Sequence, residues 1–144
     1  MDKLLVGTAT QLVLWDGKQN TVYEDKSLTY GITWDDTYIY TMNGSSVRVL
    51  DKSLKTGESV WLDLGGPHQA LYLKNRILIA EAARNCIVEY CPVTMDYNRS
   101  PWKYMSAGED PHINSIWHDG NVLYVVEHWQ TRVPKRIVGL HGHW

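Results

Sequence analysis

Pro111-His112-Ile113-Asn114-Ser115-Ile116-Trp117-His118-Asp119-Gly120-Asn121-Val122-Leu123-Tyr124-Val125-Val126-Glu127 reads as a strand, a tight polar turn and a second apolar strand. The same order occurs twice more. Tyr30-Gly31-Ile32-Thr33-Trp34 and Tyr38-Ile39-Tyr40 flank the turn Asp35-Asp36-Thr37. His68-Gln69-Ala70-Leu71-Tyr72-Leu73 and Ile77-Leu78-Ile79-Ala80-Glu81 flank Lys74-Asn75-Arg76. The second strands begin at Tyr38, Ile77 and Val122, and an earlier unaligned copy begins at Leu4. The spacings are therefore 34, 39 and 45 residues.

Working outward, no stretch of the chain shows apolar residues recurring at helical spacing. Short runs rich in β-branched and aromatic residues, bounded by Gly, Asp, Asn and Pro, predict strands instead. They cover Leu4–Thr8, Gln11–Trp15, Thr21–Glu24, Gly31–Trp34, Tyr38–Met42, Val47–Asp51, Ser59–Leu64 and Gln69–Leu73. Arg76–Glu81, Cys86–Tyr90, Trp102–Met105, Asn114–Trp117, Val122–Glu127 and Lys135–Leu140 follow. The fold class is all-β. Irregular repeats of about 40 residues with four short strands each are the mark of β-propeller blades. With strands lettered a to d from the channel outward, the chain reads b-c-d, a-b-c-d, a-b-c-d, a-b-c, a single partial propeller of three and a half blades over residues 1–144. Its repeat units are about 4–37, 38–76, 77–121 and 122–144.

Composition narrows the function. The 144 residues are 44% apolar and 21% charged, as expected of a globular domain, and the net charge of -2 offers no basic surplus for holding nucleic-acid phosphates. No apolar run is long enough for a membrane-spanning helix, and Gln11, Asp16 and Lys18 interrupt the start too soon for a secretory leader. A soluble, cytoplasmic protein is the expectation. Seven Trp and nine Tyr with no Phe suit half-buried sheet surfaces. Trp34, Trp61, Trp102 and Trp117 fall at similar blade positions and read as packing residues. Cys86 and Cys91 should point to opposite faces of a strand and behave as small buried hydrophobes without a disulfide. Asn43-Gly44-Ser45 and Asn98-Arg99-Ser100 match the glycosylation sequon but read as turn chemistry.

The pattern Pro-His-x-(x)-small-x-x-x-(Asp/Asn)-Gly-x-aliphatic-Tyr-Val-x-Glu is clearest over Pro111–Glu127 and weaker over Pro67–Glu81. It resembles the blades of the propeller superfamily that holds the NHL-repeat, gluconolactonase-like and strictosidine-synthase-like proteins. Such rings usually have four to eight blades, each packed against its neighbours. Three and a half blades would leave two apolar flanks, so the chain is either part of a longer propeller or a protomer that closes by self-association. A two-fold ring needs an even number of blades. A six-bladed homodimer meets this if a strand near Thr21–Glu24 completes the partner's last sheet. Leu4, Val6, Val22, Tyr23, Ile137 and Val138 are the expected assembly residues.

In such a blade the start of strand a and the end of strand b lie beside the channel mouth. Tyr30, His68, Glu81, His112, Asn114, Glu127 and His128 are thus the candidate ligand-binding rim. His68, His112 and Glu127 could hold a divalent metal. The resemblance implies Glu, Asn and Asp ligands for a channel metal in gluconolactonase-like relatives and His in some related lyases, and by blade position it carries over only Glu81, Glu127, Asn114, His68 and His112. The bland alternative is that each His orders the start of its blade by bonding a loop. No phosphate-binding glycine loop, nucleophile elbow, His-Glu-x-x-His or cysteine zinc pattern occurs. Two functions follow. One is a self-assembling binding or interaction module with a small-molecule pocket at the channel mouth; the other is a metal-dependent hydrolase or lyase working through a His/Glu rim.

Overall fold

The computed structural model describes residues 3–101, 112–127 and 135–137, and among them every regular element is a β-strand. The strands form four antiparallel sheets. The first holds β1 (Leu4–Gly7), β2 (Gln11–Trp15) and β3 (Asn20–Glu24). The second holds β4 (Leu28–Trp34), β5 (Tyr38–Asn43), β6 (Ser46–Asp51) and β7 (Thr56–Trp61). The third holds β8 (Pro67–Leu73), β9 (Arg76–Glu81), β10 (Cys86–Tyr90) and β11 (Tyr97–Pro101), and the fourth β12 (Ile113–His118), β13 (Leu123–Glu127) and β14 (Lys135–Ile137). Each strand pairs with the next in sequence, so every sheet is a meander.

The turns explain the meander. Asp35 Oδ1 accepts the amides of Thr37 and Tyr38, both at 2.7 Å, and Asp119 Oδ1 accepts those of Asn121 and Val122 at 2.9 and 2.8 Å. Such a carboxylate reinforces a reversal that the backbone also closes, through the Asp35 amide to the Tyr38 carbonyl at 3.1 Å and the Asp119 amide to the Val122 carbonyl at 3.2 Å. Between β8 and β9 the turn falls on Lys74 and Asn75, with φ of 48° and 63°. These left-handed angles give the two-residue hairpin whose twist matches its strands.

Three apolar cores lie between successive sheets. Leu12 and Leu14 meet Leu28, Ile39 and Leu50 between the first two. Tyr40, Met42 and Val47 meet Ile77, Ile79 and Val88 between the second and third. Leu78, Ala80 and Ile87 meet Ile113, Ile116, Leu123 and Val125 between the third and fourth. The third sheet is covered on both faces, which is why Arg76–Glu81 and Cys86–Tyr90 read as continuous apolar runs rather than alternating ones.

The edge strands β4, β8 and β12 pack beside one another. Side chains bridge them: Thr33 Oγ1 accepts the Tyr72 amide at 2.7 Å, and Gln69 Oε1 accepts the Ile116 amide at 2.9 Å. Gly31 permits the approach, since a Cβ there would stand 2.5 Å from Met42 Cγ and 3.4 Å from the Ala70 nitrogen.

Among the described residues, each of the two end sheets has one face that no other described sheet covers. On the first, the cross-strand rows Leu4–Trp15 and Val6–Val13–Val22 carry exposed Leu4, Val6, Trp15 and Val22. Tyr23 turns inward, packs on the first core and bonds Asp25. On the fourth sheet Trp117 and Val126 are exposed, with the Trp117 ring 5.2 Å from Tyr124. The Ile137 side chain and Val138 lie outside the described residues.

Three sequence expectations shift. The fourth strand of the third sheet is Tyr97–Pro101, not the Trp102–Met105 stretch, which lies outside the described residues. Asn98-Arg99-Ser100, read as a turn, instead pairs with β10, and Pro101 is tolerated because β11 is an edge. The tryptophans also differ from a packing role: Trp34, Trp61 and Trp117 are 57%, 67% and 59% exposed.

Candidate functional site

Each inner strand carries a register shift near its start, between Leu28 and Ile32 in β4, Pro67 and Ala70 in β8, and Ile113 and Ser115 in β12. Extra residues in one strand of a pair re-aim side chains. The residues inside these shifts include Tyr30, His68 and Asn114, three of the rim candidates. Tyr30 stacks on His68 at 6.1 Å with an interplanar angle of 11°. His68 in turn meets His112 edge to face at 5.0 Å and 71°. A continuous aromatic ladder therefore crosses the starts of β4, β8 and β12. Tyr30 is its open end, 72% exposed. His112 has φ of 40°, a left-handed angle uncommon outside glycine but adopted by His, Asn and Asp more readily than by other residues. Asn114 is half-buried and accepts the Ser115 hydroxyl at 3.2 Å.

Glu81 is drawn elsewhere. Its backbone lies opposite Pro67, and Glu127 lies opposite Ile113. Yet the Glu81 carboxylate is fully buried and engaged on both oxygens. Oε1 accepts the Gly65 amide at 2.8 Å and the Arg84 guanidinium, and Oε2 accepts the Cys86 thiol at 3.1 Å with Arg99 Nε 3.5 Å away. Arg84 and Arg99 also bind the Asp63 carbonyl, at 2.6 and 2.8 Å. This cluster ties the link between β7 and β8 to the third sheet. It leaves no carboxylate oxygen of Glu81 for a metal beside His68. Burial, with the hydrogen bond and charge of Glu81, pushes the Cys86 thiol up to about 12, so it is protonated and inert. Both cysteines are buried and free.

A parallel cluster precedes the second sheet. Asp25 accepts Asn43 Nδ2 at 2.5 Å, Arg48 at 3.3 Å and the Ser27 amide at 2.9 Å. Neither Asp25 nor Asp63 stood out in the sequence. The available sign was an acidic residue shortly before each inner strand, with a carboxylate or amide (Glu81, Asn43) closing the following apolar strand.

Among the described residues, no three His, Cys, Asp or Glu side chains gather as a metal ion needs. The side chain of Glu127 and all of His128 lie outside the described residues. None of the described elements is a helix long and apolar enough to cross a membrane.

No family model and no curated protein matches the chain. Solved structures do. A chain from a S. cerevisiae assembly of a Dbp5 variant with Nup159, a Gle1 variant, IP6 and ADP aligns at a TM-score of 0.60 and 11% identity. That alignment covers 92% of this chain and 39% of the other, so this chain spans about two fifths of that relative's length. The computationally designed Ika4 protein aligns at 0.62 and 15% identity, covering 96% of this chain and 87% of Ika4. A protein of unknown function from Bacteroides caccae aligns at 0.61 and 18% identity, covering 84% and 53%. At these identities the likeness concerns the fold alone.

Proposed function

We propose that the protein is a binding module built as an arc of propeller blades, with a small-molecule pocket at the channel mouth framed by Tyr30, His68 and His112. The observation that carries the reading is the aromatic ladder itself, which joins side chains from three consecutive sheets. Register shifts at all three strand starts and a left-handed His112 support it, because unusual backbone is retained where it serves a site. A second copy of the chain covers the two bare end faces, since exposed sheet faces bearing Trp, Leu and Val favour association. β3 is paired with β2 over five residues, which favours each chain keeping its first sheet over lending β3 to a partner as a six-bladed dimer requires. The capture of Glu81 by two arginines favours binding over metal-dependent hydrolysis or lyase chemistry.

Light scattering is expected to give at least twice the 16.6 kDa chain mass, falling to the monomer in Val6→Asp with an unchanged circular dichroism spectrum. A folded monomeric wild type overturns the assembly. Small aromatic and anionic fragments should shift the His68 and His112 side-chain NMR signals together, an effect lost in Tyr30→Ala. A fragment set that moves neither histidine overturns the pocket.

A further inference from the structure

The opposite ends of the inner strands form a second concavity, unrelated to the ladder. Trp34, Asp35, Asp36, Thr37, Tyr72 and Asn75 line it, from the turn after β4 and the turn after β8. Its floor is held rigidly. The Tyr72 ring lies parallel to Tyr40 at 6.3 Å and 3°, and its hydroxyl donates to Asn75 Oδ1 at 3.0 Å. Tyr40 donates to Asp35 Oδ2 at 2.6 Å while Asp35 Oδ1 closes the turn. Against this fixed frame three groups remain available. The Trp34 indole is 57% exposed. The Asp36 carboxylate accepts no hydrogen bond from the described residues, and the Asn75 amide nitrogen points no donor at any of them.

The charges nearly cancel. Asp35 and Asp36 stand against Lys52, whose ammonium binds the Asp35 carbonyl, and Lys74 in the neighbouring turn. A charged ligand therefore gains little here. An uncharged ligand with one apolar face and several hydroxyls gains much: its C–H face packs on the indole, while a carboxylate acceptor and an amide donor engage adjacent hydroxyls. A preformed site also avoids ordering costs on binding. We infer that this hollow is a saccharide-binding site, with Trp34 as the stacking platform and Asp36 and Asn75 as the hydroxyl-reading pair.

The test is binding of the full chain to an immobilised panel of neutral hexose-, hexosamine- and pentose-terminated glycans, followed by calorimetry with the strongest binder. Trp34→Ala should weaken binding at least about tenfold, the size of one lost aromatic contact, and Trp34→Tyr should restore part of it. Asp36→Asn should also weaken it, and Trp61→Ala, an exposed tryptophan outside the hollow, should not. Three results overturn the inference: no glycan bound at millimolar concentration, binding equally lost in Trp61→Ala, or tetramethylammonium bound in place of sugars, which would make the hollow a cation site. The His68 and His112 NMR signals report the other mouth separately, so failure here is distinguishable from failure of the rim.

Discussion

Glu81 shows how a single carboxylate is committed. It lies at zero exposure with two guanidinium groups, a backbone amide and a thiol around it. Removing it would leave the Gly65 amide and the Cys86 thiol without their acceptor, while Arg84 and Arg99 stay partly exposed and keep Asp63, so the loss is that of an unsatisfied buried donor, about 1–3 kcal/mol. Glu81→Ala is thus expected to shift urea unfolding by about that amount, with Glu81→Gln intermediate. Gly31→Ala acts by crowding: its Cβ meets Met42, which is itself fully buried, and overpacking costs about 1–3 kcal/mol. An unchanged midpoint in either variant contradicts the packing described. The repeat pattern puts Glu81 with His68, whereas Glu81 pairs across the ladder with Pro67, one residue earlier. Its direction was not legible. The register shift between Pro67 and Ala70 decides which way His68 faces, and no residue there announces an extra position. Arg84 and Arg99 likewise come from a turn and from a strand that reads as a turn.

At the level of elements, the hairpin turns set the pH response. Burial opposes it, but the Tyr40 hydroxyl and the amides of Tyr38 and Thr37 hold Asp35 below its usual 3.8. The unfolded chain therefore takes up this proton first as the medium is acidified. The stabilisation is fully present above about pH 4 and is lost as pH falls through the depressed folded value. Asp35→Asn should be less stable at pH 7, with the gap to wild type closing below about pH 4. Glu89 works in the opposite sense, because burial raises it despite Arg76. A gap independent of pH would show that Asp35 contributes through neutral hydrogen bonds alone. These turns were the most readable part of the sequence. Asp35-x-x and Asp119-x-x carry their own amide acceptors, and strand identity follows from the β-branched runs beside them. β11 was less readable since Asn98, Arg99 and Pro101 are poor strand formers, kept extended by the β10 edge and the arginine contacts.

On the scale of the whole molecule, the described residues form four meander sheets sharing three apolar cores, and among them two faces have no partner sheet. Leu4, Val6, Trp15 and Val22 occupy one, and Trp117 and Val126 the other. Repeat spacing foretold the stack of sheets; the identity of whatever covers its ends is written in no local pattern. In the proposed assembly these faces are complementary, the first sheet of one copy meeting the fourth sheet of another. The most direct test is oxidative cross-linking of two variants with one added cysteine each, Val6→Cys and Val126→Cys, against wild type as the control for the buried native cysteines. We predict a disulfide-linked dimer when the two are mixed and none from either alone. No link in the mixture, or a link formed by Val6→Cys with itself, would contradict the account.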